Sequence, residues 1–185
     1  MEDKIKEKLK ELVKPKRYKH SMFVAEEARK LAKIYNEPVE KAYLTGLAHD
    51  IAKSFDNKEN EKWIKRYDLD EKWLSKENEK LIHAEVGAVV AKEYFDFDDE
   101  MCNAIKYHTT GREDMSILEK IIYLADATEE GREYCSTQYV DIIKNDIDKG
   151  MVLISKWGLN HILEKDKIIH LDSIRCYNYY LKPLV

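Results

Sequence analysis

Apolar residues recur at three- and four-residue spacing along most of the chain, which is the period of one buried face of an α-helix. A first amphipathic helix stops before Pro15, because proline disfavours helical geometry in the residue that precedes it. A second helix begins near Lys16 and keeps one apolar stripe until a turn at residues 36–38. A third helix follows from Val39. The pattern therefore predicts a succession of helices.

The middle of the chain continues this pattern. Residues 54–60 are predicted to form a polar connection. A longer helix over residues 81–94 is apolar on more than one side, so we expect it to lie centrally. Asp98 or Asp99 caps the next helix, which ends at the Thr-Thr-Gly turn of residues 109–111.

The last third of the chain and the composition complete the fold prediction. Ser116 and Glu119 form a capping box that opens a further helix, and residues 137–182 carry the C-terminal helices. The 185 residues are 44% hydrophobic and 37% charged with only 6 Gly and 3 Pro, which is typical of long amphipathic helices. We predict an all-α, single-domain helical bundle over residues 1–185, with a motif-bearing core over residues 17–132.

Several classes of protein are disfavoured by the composition. No apolar run approaches the roughly 20 residues that cross a bilayer, and the charged start of the chain does not resemble a signal peptide, so we expect a cytoplasmic protein without membrane contact. Cys102, Cys135 and Cys176 are widely spaced and are expected to be ordinary residues. The net charge of -4 argues against a nucleic-acid surface, although a small polyphosphate bound through a metal remains compatible with it.

One stretch combines candidate metal ligands with a cation. The apolar helix that starts at Val39 gives way to His49 and Asp50, which are both metal-ligand types. Lys53 follows three residues after Asp50 and four after His49, so it lies on the same face. A cation beside two ligands indicates an anionic substrate.

Further polar residues interrupt the apolar faces of other predicted helices. In chain order the set is His20, His49 with Asp50, His83, His108 and Asp126, from five separate helices. A single histidine on an apolar face is usually a hydrogen-bonded core residue. Asp126 lacks that simple explanation, because a buried unpaired carboxylate costs several kcal/mol unless it is neutralised or coordinated. His161 and His170 lie in a less apolar region and are expected to be ordinary residues.

The short sequence motifs around these residues form a recognisable series. They are Arg17-Tyr18-Lys19-His20-Ser21, Leu47-Ala48-His49-Asp50-Ile51-Ala52-Lys53, His83-Ala84, Tyr107-His108-Thr109-Thr110-Gly111 and Tyr123-Leu124-Ala125-Asp126, followed by Gly131-Arg132. Over residues 17–132 the chain resembles the HD-domain superfamily of metal-dependent phosphohydrolases. More narrowly, it is similar to the YqeK-type branch, the symmetrical bis(5'-nucleosyl)-tetraphosphatases. The resemblance implies an HD-type helical bundle.

The resemblance also implies a metal site and its cofactor. The primary ligands would be His20, His49, Asp50 and Asp126. Two imidazoles with two carboxylates suit Fe(II), Mn(II) or another first-row divalent cation better than Mg(II), which prefers oxygen ligands. Fe(II) is the first expectation and Mn(II) the second.

His83 and His108 have two interpretations. They either bind a second metal bridged by Asp50 or contact the substrate phosphates, and we favour the phosphates because no extra carboxylate accompanies the two histidines. The catalytic residues implied are Asp50, His83 and His108. The substrate-binding residues implied are Arg17, Lys53, His83, His108, Thr109 and Arg132.

The expected activity is the central cleavage of diadenosine tetraphosphate or a close relative into two nucleoside diphosphates. One alternative keeps the metal and changes the substrate to another small nucleotide. Guanosine tetraphosphate is disfavoured, because the related hydrolases carry Glu-Asp where this chain has Lys53 and Ser54. Another alternative is a nucleotide sensor without catalysis. The expected partner is a small nucleotide, and the sequence leaves open whether the chain forms a homodimer.

Overall fold

Helices make up the regular structure of this protein. The computed structural model describes residues 1–132 and 137–185, without the side chains of residues 137 and 138, so Cys135 lies outside the described residues. The α-helices are α1 Glu2–Leu12, α2 Pro15–Ile34, α3 Val39–Ala48, α4 Asn57–Arg66, α5 Ile82–Phe95, α6 Asp99–Tyr107, α7 Ile117–Thr128, α8 Thr137–Asn145, α9 Ile147–Leu163 and α10 Leu171–Leu181. Short 3-10 helices span Glu71–Leu74, Lys76–Asn78 and Lys182–Leu184. No strand occurs among the described residues, so the predicted all-α class is confirmed.

Most predicted helix ends agree with the structure. Asp98 caps α6 by accepting a hydrogen bond from the backbone N–H of Met101. Both hydrogen bonds of the predicted capping box at Ser116 are present at the start of α7. The predicted connection over residues 54–60 is wrong in its second half. There, the Asp56 side chain accepts from a backbone N–H and starts α4 at the next residue.

The centre of the fold is a layer of closely packed helices. α2 packs along α3, and α7 packs against both α2 and α6. A Cβ atom added at Gly46 would lie 3.0 Å from the Ala25 Cα, so glycine permits the close approach of α3 to α2. α5 packs on α6 and buries residues on several sides, as the sequence predicted.

The remaining helices cover this centre. α1 contacts α3, α4 contacts α5, and α9 joins α8 and α10 to α7. The turn after α6 has Gly111 at φ 64°, where an added Cβ would collide with the Cys176 side chain of α10. Cys102 and Cys176 are free thiols. In the described part of the chain, no helix is both long enough and apolar enough to cross a membrane. The proposed limits of the core and of the C-terminal helices remain predictions.

Candidate functional site

Five helices bring polar side chains into one pocket. His20 lies in the second turn of α2, and His83 lies near the start of α5. Three residues directly follow helices: His49 and Asp50 follow α3, and His108 follows α6. Asp126 lies in the last turns of α7. Their side-chain nitrogen and oxygen atoms form three overlapping groups, and within each group they lie within 4.8 Å of one another. The predicted site residues are therefore neighbours in space.

Asp50 lies at the centre of this pocket and is almost fully buried. Its Oδ2 atom lies 3.7 Å from His20 Nε2 and 3.5 Å from His49 Nε2. The Arg17 guanidinium donates a hydrogen bond to the same oxygen at 2.6 Å. Oδ2 of Asp50 therefore faces two of the other predicted primary ligands, His20 and His49.

The other oxygen of Asp50 faces a second pair of imidazoles. Oδ1 lies 3.2 Å from His83 Nε2 and 3.5 Å from His108 Nε2, and these two nitrogens are 3.3 Å apart. The Thr109 hydroxyl oxygen lies 3.2 Å from His108 Nε2. Asp50 thus presents one oxygen to each half of the pocket.

The predicted primary ligands have the spacing that a metal ion requires. His20 Nε2 lies 3.0 Å from Asp126 Oδ1, and His49 Nε2 lies 3.8 Å from the same atom. Two ligands with metal bonds of about 2.1 Å are about 3.0 Å apart at right angles and about 4.2 Å apart on opposite sides. The observed distances lie within this range.

The buried polar atoms of the pocket also fit a metal ion. His20 Nε2, His49 Nε2 and Asp50 Oδ1 are buried and have no hydrogen-bond partner within the described residues. A native protein rarely leaves such atoms without a partner, because an unsatisfied buried polar group costs about 1–3 kcal/mol. Converging imidazole nitrogens and carboxylate oxygens are the donor set of first-row divalent cations. The cluster is therefore able to hold a divalent metal ion.

Backbone carbonyls orient two of the imidazoles. His49 Nδ1 lies 2.6 Å from the Gly46 carbonyl, and His108 Nδ1 lies 2.6 Å from the Ile105 carbonyl. Each histidine directly follows a helix and contacts the carbonyl three residues before it. Because the carbonyl can only accept, Nδ1 carries the proton and Nε2 presents its lone pair to the pocket.

Glu129 is a residue of this site that sequence reasoning missed. Glu129 directly follows α7, its side chain is only 4% exposed, and Oε1 lies 3.2 Å from His20 Nδ1. Oε2 accepts a hydrogen bond from the Gly131 backbone N–H. The available signal was its position three residues after Asp126, which places both carboxylates on one side of the helix end. Glu129 orients His20 as the carbonyls orient the other two imidazoles.

Asp50 and Asp126 are held ionised. Burial raises the pKa of Asp50, but the interactions with the surrounding imidazoles, that of His49 first, outweigh burial and hold this pKa well below its usual value. Burial also raises the pKa of Asp126. The interactions with His20 and His49 and the charge of Arg132 outweigh it, so the pKa of Asp126 is also lowered.

Lys53 brings a positive charge to the second half of the pocket. Its Nζ atom lies 2.8 Å from His83 Nε2 and 3.8 Å from Asp50 Oδ1. Burial lowers the pKa of Lys53, an effect that the Asp50 charge opposes. Burial, reinforced by the charge of Lys53, lowers the pKa of His83 to about 4. Its imidazole is therefore neutral at pH 7 in the metal-free protein.

The two arginines predicted to bind phosphate contact the carboxylates of Asp50 and Asp126. Arg132 donates to Asp126 Oδ1 at 2.7 Å and to the Asp126 carbonyl at 3.0 Å, while Arg17 donates to Asp50. Both arginines line a cavity of about 630 Å³ that also reaches His20. They can therefore neutralise the carboxylates and face an incoming anion, and their predicted role in substrate binding stays a prediction.

The comparisons with known proteins agree with this geometry. The HD domain family model matches residues 17–131. A Staphylococcus aureus (strain NCTC 8325 / PS 47) protein named symmetrical bis(5'-nucleosyl)-tetraphosphatase is 38% identical over 182 residues, which cover 96% of this chain and 93% of the relative. A protein of the same name from Halalkalibacterium halodurans is 35% identical and covers 92% of this chain and 94% of its own length.

A solved structure resembles the fold over its whole length. It is a crystal structure described as a predicted HD superfamily hydrolase involved in NAD metabolism from Clostridium acetobutylicum, with a TM-score of 0.91 and 34% identity. The match covers 99% of this chain and 98% of that chain. The resemblance found in the sequence is thus confirmed, and the chain belongs to the HD domain family, among the relatives named symmetrical bis(5'-nucleosyl)-tetraphosphatases.

Proposed function

We propose that this protein hydrolyses diadenosine tetraphosphate, or a closely related dinucleoside tetraphosphate, at its centre. Water adds to one of the two middle phosphorus atoms, the bridging P–O bond breaks, and two nucleoside diphosphates leave. The observation that carries this proposal is the central Asp50, with imidazole nitrogens facing both of its oxygens and with Arg17 and Lys53 beside it. The names of the Staphylococcus aureus and Halalkalibacterium halodurans relatives support the choice of substrate.

The proposal includes a divalent cation held by His20, His49, Asp50 and Asp126. When bound, such a cation supplies a Lewis acid that lowers the pKa of a coordinated water molecule from 15.7 toward about 7. Two imidazoles with two carboxylates favour Fe(II) first, and Mn(II) or another first-row cation second. The ionised state of both carboxyl groups supports cation binding near neutral pH.

Side chains around the ligands would stabilise the charge of the reacting phosphates. Lys53 is positioned beside His83, where a phosphoryl oxygen could replace the Lys53 contact. Arg17 and Arg132 present planar guanidinium groups that suit bidentate phosphate contact. These three cations concentrate positive charge in a chain whose net charge is -4, as an anionic substrate requires.

His83, His108 and Thr109 complete the proposed catalytic side of the pocket. The two imidazoles and the hydroxyl converge within hydrogen-bond distance of one another. The Thr109 hydroxyl can donate to a phosphate oxygen, and an imidazole that takes up a proton on Nε2 beside the bound phosphate can pass it to the leaving oxygen. We retain the assignment to phosphate rather than to a second metal, because Lys53 already places a positive charge 2.8 Å from His83. Asp50 acts on both sides by holding the cation and orienting these imidazoles.

Product analysis tests the proposed cleavage position. Protein loaded with Fe(II) or Mn(II) is incubated with diadenosine tetraphosphate in water enriched in oxygen-18, and the products are separated by ion-exchange chromatography. The expected product is ADP alone, with one oxygen-18 atom in half of the ADP molecules. Release of ATP with AMP, or predominant release of monophosphates, would contradict central cleavage. Replacing the exposed His161 by alanine provides a control that should cleave normally.

Metal analysis tests the cofactor and separates catalysis from sensing. Elemental analysis of freshly purified protein should find one equivalent of a first-row metal, with iron predominant. Two equivalents per chain would assign His83 and His108 to a second metal instead. Tight nucleotide binding without turnover in a metal-replete preparation would favour the sensor. We also propose a cytoplasmic location. The mass of the protein measured in solution distinguishes a monomer from a homodimer.

A further inference from the structure

A cavity of about 500 Å³ opens from the second half of the pocket. We call it the Trp73 cavity. Its lining includes Lys53 and His83 of the pocket, together with Asn60, Trp73 and Lys80. Its volume falls within the roughly 300–1,000 Å³ that small-molecule sites occupy. Because His83 and Lys53 belong to the catalytic pocket, the cavity continues directly from the place where phosphates are proposed to bind.

Trp73 forms an aromatic wall of this cavity, and a stacking contact with His170 holds its ring in place. Its indole stacks on the imidazole of His170, with ring centroids 5.7 Å apart and an interplanar angle of 20°. His170 and the neighbouring Lys72 line a second cavity that Trp73 also borders, and neither of them lines the Trp73 cavity. The indole is therefore held by His170 while it borders the Trp73 cavity, where a flat aromatic ligand can stack.

Asn60 provides a second, independent indication of a ligand. The residue is 5% exposed and lines the same cavity. Its side-chain Oδ1 is buried and accepts no hydrogen bond within the described residues. An unsatisfied amide oxygen at this depth requires a donor, and a carboxamide can pair with the donor and acceptor on the edge of a purine base.

The charges along the cavity match a nucleotide. Lys53, Lys76 and Lys80 line it, against the single carboxylate of Glu79. Lys53 gives the side near His83 a positive charge, while Phe55, Leu74 and Trp73 supply apolar and aromatic lining. A nucleoside diphosphate has matching parts, because its phosphates are anionic and its base is flat and largely apolar.

We propose that the Trp73 cavity binds the nucleoside of one half of the substrate, with the purine base stacked on Trp73 and its edge hydrogen-bonded to Asn60. This inference rests on the proposed function for the identity of the substrate. The cavity, the stacked indole and the unsatisfied amide support a purine nucleoside diphosphate independently of catalysis. ADP, the expected product, is therefore the probe.

The binding of ADP tests this inference in the metal-loaded protein. Isothermal titration calorimetry compares ADP with pyrophosphate, which has the phosphates but no base. Replacing Trp73 by alanine should weaken ADP binding by about 5- to 100-fold, the range expected for loss of one base–aromatic stack, and should leave pyrophosphate binding unchanged. Trp73→Phe should retain most of the affinity because it keeps an aromatic face.

The chain offers a matched control and a second variant. Trp157 stacks on His161 with centroids 5.5 Å apart and an angle of 13°, and it does not line the Trp73 cavity, so Trp157→Ala should bind ADP as the unmodified protein does. Asn60→Leu has a similar volume without the amide and should weaken ADP binding by about 3- to 10-fold. Equal losses for ADP and pyrophosphate would show that a variant disturbs the pocket as a whole, which would overturn the inference.

The two proposals fail in different ways. If diadenosine tetraphosphate is cleaved to ADP but Trp73→Ala binds ADP normally, the nucleoside site is wrong and the proposed function stands. If diadenosine tetraphosphate is not cleaved while Trp73→Ala selectively loses ADP affinity, the nucleoside site stands and the proposed function is wrong. Loss of ADP affinity without loss of pyrophosphate affinity, together with central cleavage, supports both proposals.

Discussion

Removing the Glu129 side chain should weaken metal binding without removing a metal ligand. Glu129 Oε1 lies 3.2 Å from His20 Nδ1, so the carboxylate fixes the imidazole with Nε2 toward Asp126 and Asp50. In Glu129→Ala the imidazole loses this partner and can rotate or change its tautomer. Partners of this kind are typically worth 10- to 100-fold in metal affinity.

The expected magnitude can be measured directly. A 10- to 100-fold loss corresponds to about 1.4–2.7 kcal/mol of binding free energy. Competition between the protein and a chelator of known Mn(II) affinity gives the dissociation constant for each variant. Glu129→Ala should fall in this range, and Glu129→Gln should lose less, because the amide oxygen can still accept from His20. Turnover at saturating Mn(II) should recover most of the lost activity, since the ligands remain.

Two controls separate orientation from a general loss of structure. Glu130→Ala changes the neighbouring exposed carboxylate and should leave Mn(II) affinity unchanged. Thermal unfolding of Glu129→Ala should remain cooperative, because the change affects one buried side chain at the end of α7. Unchanged Mn(II) affinity in a folded Glu129→Ala protein would refute the assignment of Glu129 as the group that orients His20.

Four further changes probe other parts of the structure. Asp50→Asn should abolish both bound metal and turnover, measured by elemental analysis and ADP release, and an active variant containing metal would contradict the central role of Asp50. Lys53→Met should lower kcat/KM by about 10²-fold with metal content unchanged, since it removes a cation from the reacting phosphates; a selective loss of metal would contradict this. Gly46→Ala should lower the free energy of unfolding by about 1–3 kcal/mol, because its Cβ would lie 3.0 Å from the Ala25 backbone. Gly158→Ala should raise stability by about 0.5–1 kcal/mol, because Gly158 lies in α9 and no described residue comes within 4 Å of an added Cβ. Chemical denaturation of both variants checks the pair.

Local sequence signals predicted the helices because their causes are local. Pro15 begins α2, Asp98 caps α6, and Ser116 starts α7 through short-range contacts that the sequence makes visible. The prediction was wrong at residues 57–60 because the Asp56 cap was not recognised inside a polar segment. The burial of Asp50 also has a local cause, because apolar residues lie on both sides of the His49-Asp50 pair in the sequence.

Other features of the site depend on contacts between residues far apart in sequence. Glu129 meets His20 across 109 positions, and its burial is decided by how α7 packs on α2. Trp73 and Asn60 lie 13 positions apart in the sequence, and only the packing of their segments makes them line one cavity beside His83. Arg17 contacts Asp50 across 33 positions, a pairing that the sequence order alone does not specify.

The sequence by itself determined the all-α class, most helix ends and the residues capable of binding a metal, because periodicity, capping and residue chemistry act within a few positions. Only the tertiary structure decided that Asp50 offers one oxygen to each pair of imidazoles, that Glu129 orients His20, and that an aromatic cavity continues from the pocket. The physical reason is that helix packing sets the distances between separate helices, and metal binding depends on those distances to within tenths of an ångström.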